Sequence, residues 1–456
     1  MSLPRPAGQP AAALALGLGA ALLLWPALLN GYPLVFSDTG AFLAQTVEGW
    51  AIWDKPFVYG PALHAFHGRL TLWGPALAQG LLLSWLAWLA QRGFLGGARP
   101  GRHLALCAGL AAGSAAPWFT AQLMPDILAP ALVLALALLG FAADRLSRAE
   151  ALGLQGVAAL AAAAHLSHLP LAAALVLLVL AATRRARPAL RCAAPLGAAV
   201  ALLLAGNLAT QGRLAVSPYG AVFALARLVA DGPAARTIAA RCPDAGWQLC
   251  RWAGRLPTDS DLFLWSGDGP VWSPRTDGLL PGGPISLAPE AGAILAETLR
   301  REPLAVLRAA LGNGWAQLRR ARVGDALGPE NLEASVGRQL ALGFPAAEQA
   351  RFAAGLQARG LLPSAAAPVL ALQPLLLLLG AGATLLGCWR AARHGDARML
   401  GLLLAVLVGV TVNALVTGAL SGPHDRYQAR IAWLLPLAGL LALASPRSEA
   451  ARRRPG

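Results

Sequence analysis

Charged side chains are scarce in this chain. Only 13% of its 456 residues are charged, whereas 57% are hydrophobic, and the mean hydropathy is +0.56. Soluble proteins carry about 25% charged residues. The shortage of charge therefore excludes a soluble globular protein and predicts an integral membrane protein.

Lysine is almost absent. Lys55 is the only lysine among 37 basic residues, so arginine supplies nearly all the positive charge behind the formal net charge of +15. The arginines stand in short clusters between apolar runs, whereas a nucleic-acid-binding surface presents a continuous basic stripe. This distribution is typical of the signals that orient membrane proteins, and we expect no nucleic-acid partner.

Two other features are missing. No small-residue cleavage site follows the first apolar run, which predicts that this run is kept as a membrane anchor. No alternation of strand and helix patterns is found, which excludes a soluble catalytic domain of the nucleotide-sugar type. Arginine in place of lysine and alanine in place of isoleucine are typical of a GC-rich bacterial genome, so we expect a bacterial inner-membrane protein.

Ten apolar runs are present, and a membrane span needs about 20 mainly apolar residues. We expect an all-α polytopic membrane protein of about ten transmembrane helices, with periplasmic juxtamembrane helices and a mostly helical periplasmic segment. Its parts are a membrane module at 1–207 with about seven spans, the periplasmic segment at 208–367, and a module at 368–456 with about three spans. The runs are 11–30, 70–91, 103–118, 126–143, 150–165, 169–183, 189–207, 368–389, 398–419 and 429–445.

Arginine clusters mark every second connection between the runs. The connections 119–125 and 166–168 carry no arginine or lysine. Basic short loops stay in the cytoplasm, so both termini are predicted there and the loop 31–69 is predicted in the periplasm. The arginines behind this prediction are Arg5, Arg92, Arg99, Arg102, Arg145, Arg148, Arg184, Arg185, Arg187, Arg191, Arg390, Arg393, Arg398, Arg447 and Arg452 to Arg454.

The periplasmic segment holds two of the five cysteines, Cys242 and Cys250. An oxidising compartment favours a disulfide between them, and two unlinked thiols are the alternative. The other three cysteines fall in or beside predicted spans, where a thiol behaves as a small apolar side chain.

The two halves of this segment differ in pattern. The first half is rich in Gly, Pro, Trp and Asp, which predicts ordered loops held by aromatic side chains and the disulfide. The second half has apolar residues at helical spacing, which predicts helices at 288–301, 303–321 and 345–359. The apolar positions of the middle helix are Leu304, Leu307, Leu311 and Leu318.

Polar and charged residues gather at the predicted periplasmic face. Each loses solvation near lipid, so a purely structural protein has no reason to collect them there. The candidates are Asp38, Glu48, Asp54, Lys55, Tyr59, His64, His67 and Arg69 in the first loop, Asp126 at the fourth span, His165 and His168 at the sixth, Arg213 and Tyr219 after the seventh, and His424, Asp425, Arg426 and Tyr427 before the tenth.

The two acids have a simpler alternative role. Asp is a favoured residue at a helix N-cap. Asp38 stands directly before a helix predicted to start at Thr39, and Asp126 follows Pro125 at another helix start. Either carboxylate could therefore serve only to cap its helix.

The histidines form two pairs at i, i+3 spacing, which places both rings of a pair on one helix face. The pairs are His64 with His67 and His165 with His168. Four imidazoles and a carboxylate suit zinc or manganese. No cysteine- or glutamate-containing metal signature accompanies them, so interfacial histidines bonded to water or backbone are favoured and no metal cofactor is expected.

Two cations could bind a phosphate. A guanidinium grips two oxygens at once, which makes Arg426 the better candidate, with a plain interface anchor as its alternative. Lys55, just ahead of Pro56, is suited equally to a lipid-linked phosphate and to ordinary snorkelling.

Several motifs resemble the integral-membrane glycosyltransferases of the GT-C superfamily. Within it, the chain is similar to bacterial polyprenyl-phosphate-sugar mannosyl- and aminoarabinosyl-transferase-like proteins over residues 10–210 and 410–445. The usual acidic pair of the first loop is incomplete, because Thr39 follows the acid, and this favours a metal-independent transfer. The motifs are Asp38 just past the first span, Lys-Pro-Phe-Val-Tyr-Gly at 55–60, Pro125-Asp126, His-x-x-His-x-Pro at 165–170, and His-Asp-Arg-Tyr at 424–427.

The resemblance implies a polyprenyl-phosphate-linked sugar donor and a lipid, glycan or protein acceptor. Asp38 would be the general base, with a pKa raised by burial, and Asp126 a second acid that orients a substrate. Arg426, with Lys55 or Arg213, would neutralise the departing phosphate. The implied substrate-binding residues are Lys55, Tyr59, His64, His165, His168, Arg213, His424, Arg426 and Tyr427.

Two other functions compete with this one. A transporter or flippase for a lipid-linked or anionic solute would suit ten spans, but its charges usually lie near mid-membrane between repeated halves. Here they lie at one face, and no internal repeat is found. The remaining alternative is a scaffold whose outer segment binds a partner.

Overall fold

All ten apolar runs fold into helices in the computed structural model of the protein. The structure describes residues 9–273 and 282–445. It is 75% helix, and no β-strand occurs in the described residues. Arg5, Arg447 and Arg452 to Arg454, which contribute to the predicted orientation, lie outside them.

The helices follow one another with short connections through most of the chain. The first group is α1 (Gln9–Leu23), α2 (Trp25–Asn30), α3 (Ser37–Val47), α4 (Tyr59–His67), α5 (Trp73–Leu95), α6 (Pro100–Gly113), α7 (Ala116–Ala121), α8 (Leu128–Phe141), α9 (Arg148–Ala164), α10 (His168–Thr183) and α11 (Ala186–Gln211). The second group is α12 (Gly220–Ala230), α13 (Pro233–Arg241), α14 (Ser260–Trp265), α15 (Pro284–Arg301), α16 (Pro303–Leu318), α17 (Arg338–Gly343), α18 (Ala346–Ala354) and α19 (Leu362–Leu370). The last group is α20 (Gln373–His394), α21 (Ala397–Leu420), α22 (Asp425–Ala432) and α23 (Leu434–Ala444).

Four helices are long and apolar enough to cross a membrane. They are Ala186–Gln211, Gln373–His394, Ala397–Leu420 and Asp425–Ala444, the last of which contains α22 and α23. The protein is therefore a helical membrane protein. Several other predicted spans form shorter or interrupted helices.

Proline and glycine explain one such interruption. The run 11–30 divides at Leu24, because Pro26 in the first turn of α2 has no N–H to continue the hydrogen bonding of α1. Gly31, with a left-handed φ of 80°, then ends α2. The chain leaves the helix in an extended conformation that leads towards α3.

Helix α8 lies at the centre of the bundle. Every residue from Leu132 to Leu139 is at most 1% exposed, as expected for a helix that is apolar on all sides. Glycine lets α21 approach it closely: a Cβ on Gly409 would lie 2.8 Å from Cγ2 of Val133. Any larger residue at this position would push the two helices apart.

The short-loop arginines gather at one end of the bundle. Arg92 pairs with Glu150, and Nη2 of Arg398 lies 2.7 Å from Oδ2 of Asp144. These residues come from connections between the runs that were all predicted to face the cytoplasm. The structure therefore places these connections at the same end of the bundle. We call the opposite end of the bundle the site end.

The extended stretch before α3 is held by two neighbouring segments. Leu34 pairs its backbone with residues 121 and 123, donating to the carbonyl of Ala121 and accepting from the N–H of Leu123. The side chain of Gln357 bonds both the N–H and the C=O of Val35. These contacts satisfy buried backbone groups and set the direction in which α3 begins.

A buried carboxylate joins the first loop to α18. Oε1 of Glu348 accepts hydrogen bonds from the hydroxyl of Tyr32 at 2.7 Å, the N–H of Leu72 at 2.8 Å and the hydroxyl of Thr71 at 3.1 Å. Glu348 is 1% exposed. Burial, together with the negative charge of Glu348, raises the pKa of Tyr32 well above its ordinary value.

Helices α12 to α15 form a small unit with its own core, which we call the disulfide domain (residues 220–273 and 282–301). Cys242 and Cys250 form a disulfide there, with their Cα atoms 5.3 Å apart. Val222 and Ile238 are fully buried in its core. The stretch from Cys242 to Ser266, where the Gly, Pro, Trp and Asp residues predicted loops, consists mostly of turns, with a 3-10 helix at Gln248–Trp252 and the short helix α14. Helices α12 and α13, which precede Cys242, were not predicted.

The disulfide domain touches the first loop through aromatic rings. Trp53 stacks on Phe223 with ring centroids 5.0 Å apart and lies 5.7 Å from the ring of Trp265. Gln211, at the end of α11, also donates to the carbonyl of Ala51. The loop between α3 and α4 is therefore fixed from outside the bundle.

We expect Glu348→Ala to lower the free energy of unfolding by about 3 kcal/mol, because it leaves three buried donors without an acceptor. Thermal unfolding of purified protein in detergent, followed by circular dichroism, measures the change. Glu348→Gln keeps an acceptor oxygen at the same place and should lose much less.

A matched control for this measurement is Glu333→Ala, which removes an exposed glutamate nearby in the sequence. Equal melting temperatures for Glu348→Ala and Glu333→Ala would show that the buried carboxylate does not hold the first loop.

Candidate active site

Six separate stretches of chain meet at the site end of the bundle. They are the start of α3 with Asp38, the following loop with Asp54 and Lys55, the start of α4 with Tyr59, the turn before α8 with Asp126, the turn before α10 with His165, Ser167 and His168, and α22 with Arg426, Tyr427 and Arg430.

Asp38 does not cap α3. The cap is made by Thr39, whose hydroxyl accepts from the N–H of Phe36 at 2.9 Å and donates to the carbonyl of Leu123 at 3.0 Å. The carboxylate of Asp38 instead lies 3.2 Å from Nζ of Lys55. Its side chain is 36% exposed, so it is the part of the site open to a substrate.

Lys55 lies between two carboxylates. Its ammonium pairs with Asp54 as well as Asp38, and it lies 6.0 Å from the ring centroid of Phe42. Burial alone would lower the pKa of Lys55, but the two acids outweigh it and raise the pKa above its ordinary value. Lys55 is therefore a fixed positive charge, and a snorkelling role does not fit its position.

The expectation of a burial-raised pKa for Asp38 was wrong. Burial pushes this pKa upwards, but Lys55 and Arg426 favour the charged form more strongly and bring the pKa below its ordinary value. Asp38 is thus ionised at neutral pH and ready to accept a proton.

Asp126 faces two guanidinium groups. Its Oδ1 lies 3.6 Å from Nη1 of Arg430 and 3.9 Å from Nε of Arg426. These distances suit ion pairs and exceed those of direct hydrogen bonds. The Asp126 side chain is 3% exposed and makes no cap for its turn, so its charge is used within the site.

Arg430 is the most deeply buried charge of the site. Its side chain is 0% exposed, and Nη2 donates to Oδ1 of Asn413 at 2.9 Å and to the hydroxyl of Ser167 at 3.1 Å. Its Nε and Nη1, and Nη1 of Arg426, have no hydrogen-bond partner among the described residues. Buried donors without acceptors are costly, and here several of them occur on two neighbouring cations.

Arg426 links the last helices to the first loop. Its guanidinium carbon lies 4.3 Å from the ring centroid of Phe36 and 5.2 Å from that of Tyr427. Its backbone N–H donates to Oδ2 of Asp325 at 2.9 Å. The aromatic faces hold the guanidinium plane and leave part of its N–H edge available.

The histidines before α10 form part of the wall. Nδ1 of His165 lies 2.7 Å from the hydroxyl of Ser167, which also binds Arg430. Nδ1 of His168 donates to the carbonyl of Ala161 at 2.7 Å, and its buried Nε2 has no partner among the described residues. In the other pair, His67 packs against Phe344 and His64 packs against His67, so the four imidazoles do not form one cluster.

Tyr59 forms the floor beneath these charges. Its hydroxyl donates to Oε1 of Gln79 at 2.7 Å, and Nε2 of Gln79 donates to the carbonyls of Thr120 and Gln122.

In the part of the chain that the structure describes, no group of three or more His, Cys, Asp or Glu side chains is placed to hold a metal ion.

Three predicted residues do not contribute side chains in the expected way. His64 lies five residues after Tyr59, which turns it about 140° around α4 and away from the site. Arg213 is exposed and lies over the ring of Tyr219, 5.6 Å from its centroid, because α11 continues to Gln211 and carries it outwards. His424 pairs its backbone with Gln317, and its ring meets only the edge of Tyr427.

Sequence reasoning missed Arg430 and the partner role of Asp54. Arg430 lies inside the predicted span 429–445, and that position is itself a signal, since a charge within an apolar span usually faces a functional interior. Asp54 was only one of several acids in its loop, and nothing in the sequence separates it from Glu48, which pairs with Arg338 outside the site.

Comparison with known proteins adds no relative. No family model, no curated protein and no solved structure matches this chain. Function therefore has to be inferred from the site itself.

We expect Asp126→Asn to lower the free energy of unfolding by about 3–5 kcal/mol, because it leaves two buried guanidinium groups without a counter-charge. Thermal unfolding in detergent measures the change. The double variant Asp126→Asn with Arg430→Met should recover part of the loss, since it removes one of the unpaired charges.

Asp144→Asn is the matched control. It makes the same chemical change in an ion pair whose acid is 65% exposed, where the pair contributes about 0–1 kcal/mol. If Asp126→Asn and Asp144→Asn had the same melting temperature, the buried ion pairs would not stabilise this site.

Proposed function

We propose that the protein is a membrane glycosyltransferase of the GT-C type. It moves a sugar from a polyprenyl-phosphate donor to a lipid, glycan or protein acceptor, and the site end faces the periplasm of a bacterial inner membrane. One observation carries the proposal: an ionised, partly exposed Asp38 shares a site with two buried arginines, and several of their N–H groups have no hydrogen-bond partner in the described part of the chain. In this proposal all ten helical runs cross the membrane.

The two arginines suit the leaving group. When the sugar departs from a polyprenyl phosphate, negative charge builds up on the phosphate oxygens. Among the described residues, Nη1 of Arg426 and Nε of Arg430 have no hydrogen-bond partner, and Nη1 of Arg430 faces Asp126 at 3.6 Å without a direct hydrogen bond. Planar guanidinium groups bind phosphate oxygens in pairs. Donors held in place before the reaction stabilise developing charge without reorganising.

Asp38 suits the role of general base. The acceptor hydroxyl attacks the anomeric carbon, the bond from that carbon to the phosphate oxygen breaks with its electrons on the phosphate, and the hydroxyl proton passes to Asp38. A single displacement of this kind inverts the anomeric centre. Lys55, 3.2 Å from Asp38, holds the carboxylate in the charged form and fixes its direction.

Asp126 acts as a positioning residue in this scheme. It lies between Arg426 and Arg430 and is too deep for a bulky acceptor to reach. Its charge draws the guanidinium groups of Arg426 and Arg430 towards the same carboxylate oxygen. Some of their N–H groups keep no hydrogen-bond partner among the described residues. This differs from a direct role in orienting substrate.

The position of the site fits a lipid-linked donor. The site lies at the ends of α8, α10 and α21 and includes the start of Asp425–Ala444, one of the membrane-length helices. A polyprenyl tail can therefore stay in hydrocarbon while its phosphate reaches the arginines. A transporter would place such charges nearer the middle of the bundle.

We expect Asp38→Asn to reduce the rate of sugar transfer by a factor of about 10²–10⁴, the usual contribution of a general base. The assay uses purified protein in vesicles with radiolabelled polyprenyl-phosphate sugars and a membrane-lipid acceptor. Glu48→Gln, an acid in the same loop that pairs with Arg338, should keep nearly full activity. Equal transfer by wild type and Asp38→Asn would remove the base from the mechanism.

The pH profile gives a separate test of Lys55. Lys55 helps to lower the pKa of Asp38, so the acidic limb of kcat/KM in the wild type should lie at lower pH than an unperturbed aspartate would give. Lys55→Met removes this effect, raises the pKa of Asp38 and should move the acidic limb to higher pH. Arg69→Met, a change to an exposed cation of the same loop, should leave the limb in place, and an unmoved limb in Lys55→Met would contradict the assigned role.

A further inference from the structure

Helix α16 packs along α21 at very close range. A Cβ on Gly314 would lie 2.7 Å from Cδ2 of Leu415, and a Cβ on Gly418 would lie 2.6 Å from the carbonyl oxygen of Asn313. Small residues that let two backbones approach in this way are typical of helix pairs inside membranes. The partner, α21, is itself long and apolar enough to span a membrane.

The apolar stripe of α16 points away from the protein. The apolar positions that predicted this helix, Leu304, Leu307 and Leu311, are 67%, 53% and 54% exposed. Trp315 continues the stripe and is also exposed. Spacing of three and four residues keeps all four side chains on one face, so α16 presents a continuous apolar surface.

The exposed face of α21 beside the stripe indicates what covers it. Leu415 of α21 lies against Gly314 of α16, and both Leu415 and Leu420 of α21 are exposed. The exposed apolar side chains of a membrane-spanning helix contact acyl chains. The stripe on α16 belongs to a helix that packs directly against α21. The acyl chains that surround α21 are therefore the molecules expected to cover the stripe on α16 as well.

The charges of α16 fit the edge of a bilayer. The guanidinium of Arg319 lies over Trp315, 5.3 Å from its ring centroid, and Arg308 is exposed beside the stripe. Arg393 lies over Trp389 in the same way at the arginine-rich end of α20, another membrane-length helix. Tryptophan with snorkelling arginine marks the interface between hydrocarbon and headgroups.

We propose that α16 is a membrane-embedded interfacial helix whose stripe, Leu304, Leu307, Leu311 and Trp315, is covered by lipid acyl chains. This inference does not depend on the proposed function. It removes residues 303–318 from the aqueous periplasmic segment and places them against the bilayer. An amphipathic helix with an apolar face and arginines beside it is the form such helices take.

Spin labelling in lipid nanodiscs of phosphatidylethanolamine and phosphatidylglycerol tests the proposal. Leu307→Cys and Leu311→Cys are labelled separately in a Cys388→Ala background, since the other free cysteines, Cys107 and Cys192, are buried. Collision rates with oxygen and with nickel ethylenediaminediacetate are then measured. Oxygen concentrates in hydrocarbon and the nickel complex stays in water.

Two exposed positions calibrate the measurement. Leu378→Cys lies on α20 and reports lipid, and Leu262→Cys lies on the disulfide domain and reports water. We expect the ratio of oxygen to nickel collisions at both α16 positions to match Leu378→Cys and to exceed Leu262→Cys by at least about threefold, as apolar partitioning requires.

Two results would overturn the proposal. A ratio equal to that of Leu262→Cys would place the stripe in water. An immobile label shielded from both reagents would show that a second copy or another protein covers it. Because both labelled leucines are exposed, their replacement leaves the core intact, and either variant suffices if the other is not obtained.

Discussion

The charge balance around Asp126 is the constraint on which the site depends. One carboxylate faces two guanidinium groups, and all three are largely buried. Buried charges persist only when they are paired. Three carboxylates (Asp38, Asp54 and Asp126) meet three cations (Lys55, Arg426 and Arg430), so the charges of the site balance. Three N–H groups of Arg426 and Arg430 nevertheless have no hydrogen-bond partner among the described residues.

The helices over the apolar runs could be predicted because they follow from hydrophobicity. Arg92 with Glu150 and Arg398 with Asp144 join three of the connections that the arginine pattern grouped. The ends of the helices were less predictable. Local Pro and Gly residues divide run 11–30, and helices α12 to α14 depend on packing within the disulfide domain that no periodic pattern reveals.

The site was predictable to the extent that helix ends on one face must lie near each other. Asp38, Lys55, Asp126 and Arg426 come from distant parts of the chain and do meet. Arg430 was hidden inside an apolar run. The pKa of Asp38 moves opposite to the prediction, because a sequence shows that a residue is near lipid but not which cations lie beside it.

The aromatic contact of Trp53 has a mechanical consequence. Trp53 is held between Phe223 and Trp265 of the disulfide domain, and it stands two residues before Lys55. A tilt of that domain would displace the short backbone segment that carries Lys55. The disulfide-linked domain is thereby mechanically coupled to Lys55, which acts together with Arg426 to keep the carboxylate of Asp38 ionised.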